Sequence, residues 1–151
     1  MRYMMIFKAN EESEAGGLPS EESLTAMGLV MAEMAEKGVL LAGDGLLPSS
    51  MGFRLAQDDD KRRRVIDGPF AETKELIAGF CLIEVASRDE AIEWGWRCVM
   101  ADGRSDGQLE IRPVVTAEFF GDNYTDEARE RNDMTFLKAA ENLENLQKSN
   151  T

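Results

Sequence analysis

Residues 65–80 read VIDGPFAETKELIAGF, and this run combines a strand end, a tight turn, a charged helical turn and the start of a buried strand. Gly68 can adopt backbone angles that are closed to other residues, and Pro69 fixes φ and removes a backbone donor. Asp67 is of the type that accepts hydrogen bonds from backbone N–H groups just ahead of it in turns and helix caps. The apolar run that begins at Leu76 predicts a strand that enters the core.

Composition limits the classes of function. The 151 residues are long enough for one domain with a substantial core. The formal net charge of −12 argues against binding to the phosphate backbone of nucleic acids. The chain contains no histidine, which excludes a Ser-His-Asp or Cys-His mechanism and removes the commonest metal ligand. We therefore predict no nucleic-acid partner, no metal and no cofactor.

The apolar segments are short. None reaches the length of a membrane span, so we predict no membrane partner. Met1 leads directly into a strand-like pattern without the features of a secretory signal, so we expect a cytoplasmic protein. Cys81 and Cys98 both lie in apolar surroundings, which predicts buried free thiols in place of a disulfide or a metal pair.

Hydrophobic periodicity predicts the order β-α-β-(hairpin)-β-α-β, the ferredoxin-like α+β arrangement. The strand patterns cover residues 3–7, 39–47, 51–57, 62–66, 77–85 and 109–115. The two hairpin strands, 51–57 and 62–66, lie around the charged run 58–64, which we interpret as a solvated hairpin tip. Residues 10–19 are polar and rich in Gly and Pro, so we predict a loop there.

Two helices are predicted between the strands. The first follows Ser20 as N-cap and ends at Gly38. Its stripe of Leu24, Met27, Met31 and Met34 is typical of a core-facing side, although methionines also suit an adaptable pocket wall. The second begins with a capping box formed by Ser87 and Glu90, and its stripe is Ala91, Trp94, Gly95, Cys98 and Val99.

The two helices cover one face of the sheet, yet several strands are apolar on both faces. If the second face of the sheet were exposed to solvent, its apolar patch would be larger than soluble monomers usually tolerate. We therefore predict a homodimer with two-fold symmetry, in which a second copy covers this face. The domain is expected over residues 1–120. A helical extension is expected over 121–151, with a short amphipathic helix after Thr135 and frayed last residues.

The run DGPFAETKE at 67–75, followed by LIAGFCLIEVASRDEAIEW at 76–94, resembles the YCII-related family, specifically its DGPF branch. The resemblance extends to GVLLAGDGLLPS, which begins at Gly38, and to GQLEIRPV at 107–114. It implies a ferredoxin-like antiparallel sheet with two helices on one face, pairing as a dimeric α+β barrel. It also implies a sigma factor of the extracytoplasmic-function type as a partner class.

Asp67 is the first candidate for a catalytic residue. In the functional interpretation it is a carboxylate at the mouth of a cleft bordered by Gly68, Pro69 and Phe70, and it acts as a general base or as a hydrogen-bond acceptor for a ligand. In the alternative it is a turn aspartate bonded to backbone N–H groups. That bonding would lower its pKa and make it a poor base at neutral pH.

Asp44 is the second candidate, because it lies between Gly43 and Gly45, where a ligand or another backbone can approach closely. The alternative is a bulge or a bend in the strand, stabilised by the two glycines. The family commonly has a glutamate at this point, so the resemblance implies that an acid is retained with a shorter reach.

Glu110 and Arg112 alternate with aliphatic residues, so they are expected on the sheet face away from the helices, between paired sheets. Glu84 is expected to join them. Charged groups there must be paired or bind a ligand, and we consider both an intersubunit salt bridge and a ligand site. The resemblance includes the EIRP run among the recurring features of the family, which favours a role for Arg112.

Three functions follow from these patterns. The first is a small-molecule binder with its cleft at the dimer interface, with a regulatory role. The second is a cofactor-free enzyme of isomerase, lyase or hydrolytic type. YCII-related proteins with a proposed histidine–aspartate pair have a histidine that this chain lacks, so acid–base work would fall to Asp44, Asp67, Glu84 or Glu110 with pKa values raised by burial. The third is a protein–protein interaction module.

Overall fold

The structure, a computed structural model, describes residues 1–149. Four strands form an antiparallel sheet in the order β2-β5-β1-β6. The six strands in chain order are β1 (Arg2–Lys8), β2 (Leu40–Gly45), β3 (Phe53–Gln57), β4 (Arg63–Asp67), β5 (Ile77–Glu84) and β6 (Leu109–Pro113). Strands β3 and β4 form a separate hairpin inserted between β2 and β5. The predicted ferredoxin-like order is therefore confirmed.

The helices are α1 (Glu11–Glu14), α2 (Glu21–Glu36), α3 (Arg88–Asp102) and α4 (Asp126–Ser149). The Ser20 side chain accepts a hydrogen bond from the Ser23 N–H at the start of α2, as predicted. Ser87 caps α3 in the same way through the N–H of Glu90. The Glu90 carboxylate, however, accepts a hydrogen bond from the N–H of Ala86 and not from that of Ser87. The returning bond of the predicted capping box is therefore shifted by one residue.

Two predictions about helices are wrong. The polar segment 10–19 contains the one-turn helix α1, because Asn10 and Ser13 bond each other's backbone N–H in a capping box. Helix α4 begins at Asp126, well before the predicted start after Thr135. The sequence prediction followed the apolar stripe, which begins at Phe136, whereas the polar first half is built from residues that favour helices without any apolar face.

The core lies between the four-stranded sheet and the helices α2 and α3. Its buried residues are Tyr3, Met5, Met34, Val39, Cys81, Ile83, Val85, Ala91, Trp94 and Cys98. The methionine stripe of α2 enters this core only in part, since Met34 is fully buried while Met27 and Met31 are half-buried. Cys81 and Cys98 are buried free thiols, as predicted.

An ion pair and an aromatic ring join α2 to α3. The Arg97 guanidinium donates two hydrogen bonds to the Glu33 carboxylate and lies 4.4 Å above the centre of the Trp94 ring. Lys37 also contacts Glu33, at 2.8 Å. The hydrogen bonds from Arg97, with those from Lys37 next, lower the pKa of Glu33 from its ordinary value of 4.5 to about 2.

The central strands are apolar on both faces, as predicted. On the face away from α2 and α3, Met4 is paired with Leu82 and Ile6 with Phe80 across β1 and β5. All four side chains are half-buried in the single chain. This is the face on which a second copy is expected.

The chain divides into two compact units, Met1–Val114 and the part that begins at Val115. In the second unit, the rings of Phe120 and Tyr124 are 5.5 Å apart, and none of the described residues of α4 is buried. No helix within residues 1–149 has the length and apolar character needed to cross a membrane.

Candidate functional site

A cavity of about 630 Å³ opens on the helix-covered side of the sheet, between α2 and the strands β2 and β5. Its volume lies within the range of small-molecule sites in proteins. All the residues that line it belong to the first unit. The apolar side chains of the lining are Phe7, Leu18, Leu24, Met27, Met31 and Leu40.

Glycines keep the sheet side of this cavity open. Gly43 pairs with Cys81, and Gly45 pairs with Gly79. At Gly43 a Cβ would lie 2.9 Å from the Cβ of Cys81, so packing already excludes a side chain there. At Gly45 a Cβ would meet no atom of the described residues within 4 Å, and no strained φ is involved. A larger residue therefore fits at position 45, where it would occupy the cavity.

The opposite wall consists of the β1–α2 segment, defined as residues 10–20. Its residues at the cavity are Asn10, Glu12, Ser13, Gly17, Leu18, Pro19 and Ser20. The Asn10 Nδ2 lies 3.3 Å from both carboxylate oxygens of Asp106, which ties the start of the segment to the loop before β6. The segment therefore contributes both apolar and polar groups to the lining.

Polar groups on the far rim are already paired. The Arg104 Nε donates to the Asp102 carboxylate at 2.7 Å, and a terminal nitrogen of Arg104 donates to the carbonyl of Lys8 at 3.1 Å. The Ser23 hydroxyl donates to the Asp102 carbonyl at 3.0 Å. Because these groups satisfy one another, they offer a ligand little free charge.

Cys81 is the thiol at the cavity. Burial raises the pKa of Cys81 to about 12, with the charge of the nearby Cys98 as a second cause. Burial likewise raises the pKa of Cys98 to about 11. Both side chains are therefore protonated at neutral pH, and a protonated thiol is a poor nucleophile and a poor metal ligand.

The DGPF turn, defined as residues 67–70, lies outside the cavity lining. Asp67 is exposed at the end of β4, and its carboxylate has no hydrogen-bond or ion-pair partner among residues 1–149. The backbone bonds expected for a turn aspartate are thus not formed within that range. Pro69 is exposed and its peptide bond with Gly68 is cis, while Phe70 is half-buried beneath the Arg54 guanidinium, 3.9 Å from the ring centre.

The structure brings Glu110 and Arg112 together on the face away from the helices. Glu110 lies 3.1 Å from Lys8 and 3.8 Å from Arg112, and strand pairing places Arg112 beside Met4. These are pairs within one chain, so a salt bridge to a second copy stays a prediction.

The raised pKa expected for Glu84 is wrong. The N-terminal amine donates a hydrogen bond to its carboxylate at 2.7 Å, and the Arg2 Nε lies 3.4 Å away. These cations lower the pKa of Glu84, with the hydrogen bond from the amine as the largest cause. Glu84 is exposed at the end of β5, where burial is too weak to oppose them.

Of the predicted site residues, Asp44 is the one that borders the cavity. It pairs with Phe80, so strand alternation directs its side chain to the face opposite Gly43 and Gly45. The pairing of β2 with β5 shifts between Leu40 and Ala42, before the two glycines, whereas residues 43–45 pair with β5 in continuous register, so no bulge is found at Gly43 or Gly45 themselves.

Sequence reasoning missed the β1–α2 segment as a cavity wall. One signal was available in the sequence, since Gly43 and Gly45 lie on one face of a strand and leave a gap opposite the methionines of α2. No group of three or more His, Cys, Asp or Glu side chains within residues 1–149 is arranged to hold a metal ion.

Fold and cavity together define a ferredoxin-like α+β domain with a pocket between its first long helix and a sheet edge. The chain belongs to the YCII-related family, because the family model for the YCII-related domain matches residues 1–118. It is also similar to the uncharacterized protein R00369 of Rhizobium meliloti (strain 1021), with 35% identity over 109 residues, which are 70% of this chain and 86% of that protein.

The chain is also similar, at low identity, to a solved structure. That structure is the 5-chloro-2-hydroxyhydroquinone dehydrochlorinase (TftG) of Burkholderia phenoliruptrix AC1100 in complex with 2,5-dihydroxybenzoquinone. The likeness covers 79% of this chain and 98% of that chain, with a TM-score of 0.42 and 12% identity. A likeness of this strength carries no argument about function.

Proposed function

We propose that this protein binds a small, largely apolar organic molecule in the cavity between α2 and the strands β2 and β5. The observation that supports this most is the open space beside Gly45, in a unit whose core is otherwise packed by large side chains. A concave space of this size with a mostly apolar lining is typical of small-molecule sites. The site differs from the cleft at the dimer interface that the sequence suggested.

The lining sets the character of the ligand. Phe7, Leu24 and Met27 present apolar surface, while the charges of Asp102 and Arg104 neutralise each other at the rim. Glu12 is among the lining residues, and its carboxylate has no ion-pair partner within residues 1–149. Since a carboxylate repels anions, a neutral ligand is favoured over an acidic one.

Binding is better supported than catalysis. The thiol at the cavity, Cys81, stays protonated at neutral pH. Asp67, Glu84 and Glu110, three of the four acid–base candidates for the enzymatic alternative, are not part of the lining. Asp44 borders the cavity, but its side chain points to the other face of the sheet, so the cofactor-free enzyme stays a prediction without a carboxylate among its candidates that points into the cavity.

A dye titration tests the proposal. Wild-type protein is titrated with the neutral fluorophore N-phenyl-1-naphthylamine, whose emission rises in apolar surroundings, and the same titration is made with Gly45→Leu. We expect saturable binding by the wild type and its loss in the variant, because the new side chain occupies the cavity. Gly28→Leu is the matched control, since Gly28 lies on α2 outside the lining and also has open space around it.

Two results would overturn the proposal. One is the absence of saturable binding by the wild type at dye concentrations that remain monomeric. The other is equal binding by Gly45→Leu and Gly28→Leu, which would place the dye elsewhere.

We also propose that two copies pair through the face that carries Met4, Ile6, Phe80 and Leu82. The support is that these four apolar side chains are only partly covered in the single chain, so a second copy could bury them further. Light scattering at micromolar concentration tests this, and a stable lone chain would contradict it. Membership of the DGPF branch, a link to a sigma factor, a cytoplasmic location and partner binding through the C-terminal helix stay predictions.

A further inference from the structure

We propose that Ser49 is a positioning residue that couples the DGPF turn to the wall of the cavity, by holding Glu14 and with it the β1–α2 segment. This inference rests on the proposed function for its effect on binding, while the coupling itself rests on contacts alone. It gives the DGPF turn a role that does not require Asp67 to touch a ligand.

The Ser49 hydroxyl joins two distant parts of the chain. It donates a hydrogen bond to the Glu14 carboxylate and accepts one from the N–H of Phe70 at 3.1 Å. The N–H of Ser49 also lies 3.2 Å from both carboxylate oxygens of Glu14. Hydrogen bonds to an ionised carboxylate are stronger than those between neutral groups, so Glu14 is held by two such donors from one residue.

The other side of this junction depends on Gly68. A Cβ at this position would lie 1.8 Å from the carbonyl oxygen of Ser49 and 2.6 Å from its carbonyl carbon. The N–H of Gly68 donates to the carbonyl of Gly52 at 3.0 Å. The turn therefore lies directly against the backbone of 49–52, and this contact fixes the place of Ser49.

Glu14 transmits this placement to the cavity. It is the last residue of α1, and the residues around it, Glu12, Ser13 and Gly17, line the cavity. A four-residue helix is far too short to be stable alone, so its position depends on tertiary contacts. The contacts to Ser49 and the Asn10–Asp106 bonds are the two side-chain anchors of α1 to the rest of the first unit within residues 1–149.

Two measurements on matched variants test the coupling. Ser49→Ala removes the shared hydroxyl, and Glu14→Gln removes the charge. Glu11→Gln is the control, because Glu11 is an exposed acid on the same helix whose side chain has no partner within residues 1–149. Hydrogen exchange is followed in peptides that cover residues 10–20 and in peptides from β1 and β5.

We expect exchange in the β1–α2 segment to speed up about tenfold in Ser49→Ala and Glu14→Gln, the factor for losing one hydrogen bond to a charged group. Exchange in β1 and β5 should stay unchanged in all variants, and Glu11→Gln should behave as wild type. Ser49→Thr, which keeps the hydroxyl, should restore slow exchange. If Ser49→Ala does not fold by circular dichroism, Glu14→Gln and Ser49→Thr still decide the result.

Stopped-flow release of N-phenyl-1-naphthylamine then measures the effect on the cavity. We expect release to speed up about tenfold in the two loosened variants, as the wall opens more often. Unchanged exchange in the segment would overturn the coupling. Faster exchange with unchanged dye release, or a wild type that binds no dye, would overturn the effect on the cavity and leave the structural coupling supported by the exchange data. A wild type without binding would in addition remove the proposed function itself.

Discussion

Two glycines of the first unit allow one chemical change to be compared in opposite surroundings. In Gly68→Ala the new methyl group would lie 1.8 Å from the Ser49 carbonyl oxygen, whereas in Gly45→Ala it would enter open space. Real Cβ contacts essentially never fall below 3.0 Å, so the DGPF turn and the backbone at Ser49 must move apart until this distance rises from 1.8 Å to at least 3.0 Å. A movement of this size breaks hydrogen bonds that depend on the present spacing.

Two hydrogen bonds lie directly at the contact. They run from the N–H of Gly68 to Gly52, at 3.0 Å, and from the N–H of Phe70 to Ser49, at 3.1 Å. At about 1 kcal/mol for each bond, Gly68→Ala should lower the free energy of unfolding by about 2 kcal/mol. Gly45→Ala should raise it by about 0.5 kcal/mol, since alanine restricts the unfolded chain and no clash opposes it.

Urea unfolding followed by tryptophan fluorescence measures both values, because Trp94 lies in the core. The free energies of unfolding of the two variants are then expected to differ by about 2.5 kcal/mol. This is several times the error of a comparison of urea midpoints when both variants unfold with the same slope against urea concentration. A difference below about 1 kcal/mol would mean that the DGPF turn does not lie against Ser49 as described.

Three further predictions concern the core and its electrostatics. Met34→Ala should lower the free energy of unfolding by about 2–5 kcal/mol in urea, because Met34 is fully buried between the sheet and α2; a loss below 1 kcal/mol would contradict this packing. Glu33 has a pKa that is lower in the folded state, about 2, than its ordinary 4.5, so its contribution to stability is present above pH 4.5 and is lost as the pH falls toward 2. Acid unfolding of Glu33→Gln should therefore depend less on pH over that window than that of the wild type, and identical pH profiles would refute the role of the Arg97 pair. Native protein should react slowly with a thiol reagent at pH 8, since the pKa values of Cys81 and Cys98 are about 12 and 11, and unfolded protein should release two thiols per chain; rapid reaction of the native protein would show that these thiols are accessible.

Most of the framework could be predicted because it follows from local patterns. Two-sided apolar strands, the cap at Ser20 and the stripe through Trp94 and Cys98 each reflect burial or capping that acts over a few residues. The start of α4 could not be predicted in this way. Its first half has no apolar stripe, so hydrophobic periodicity gave no signal there.

The candidate site was harder to predict because it depends on missing side chains at glycines and not on a recognisable motif. Glycines and the ends of flexible side chains leave the cavity open, whereas the sequence patterns that indicate a site are charged residues such as Asp67 and Arg112. The partner of Glu14 is Ser49, which is 35 residues away in the sequence, and no spacing rule connects them. The pKa of Glu84 was expected in the wrong direction because its cations, Arg2 and the terminal amine, lie on a strand 82–83 residues distant in the chain.

The empty position at Gly45 has a consequence for how relatives with this fold differ from one another. Larger side chains at this position would reduce the volume of the cavity in small steps, without changing the pairing of β2 with β5 or the packing of the core. Selectivity can then drift by single substitutions while the scaffold stays intact. On the proposed function, the size of the molecule that this chain accepts should accordingly fall as the side chain at position 45 on β2 grows.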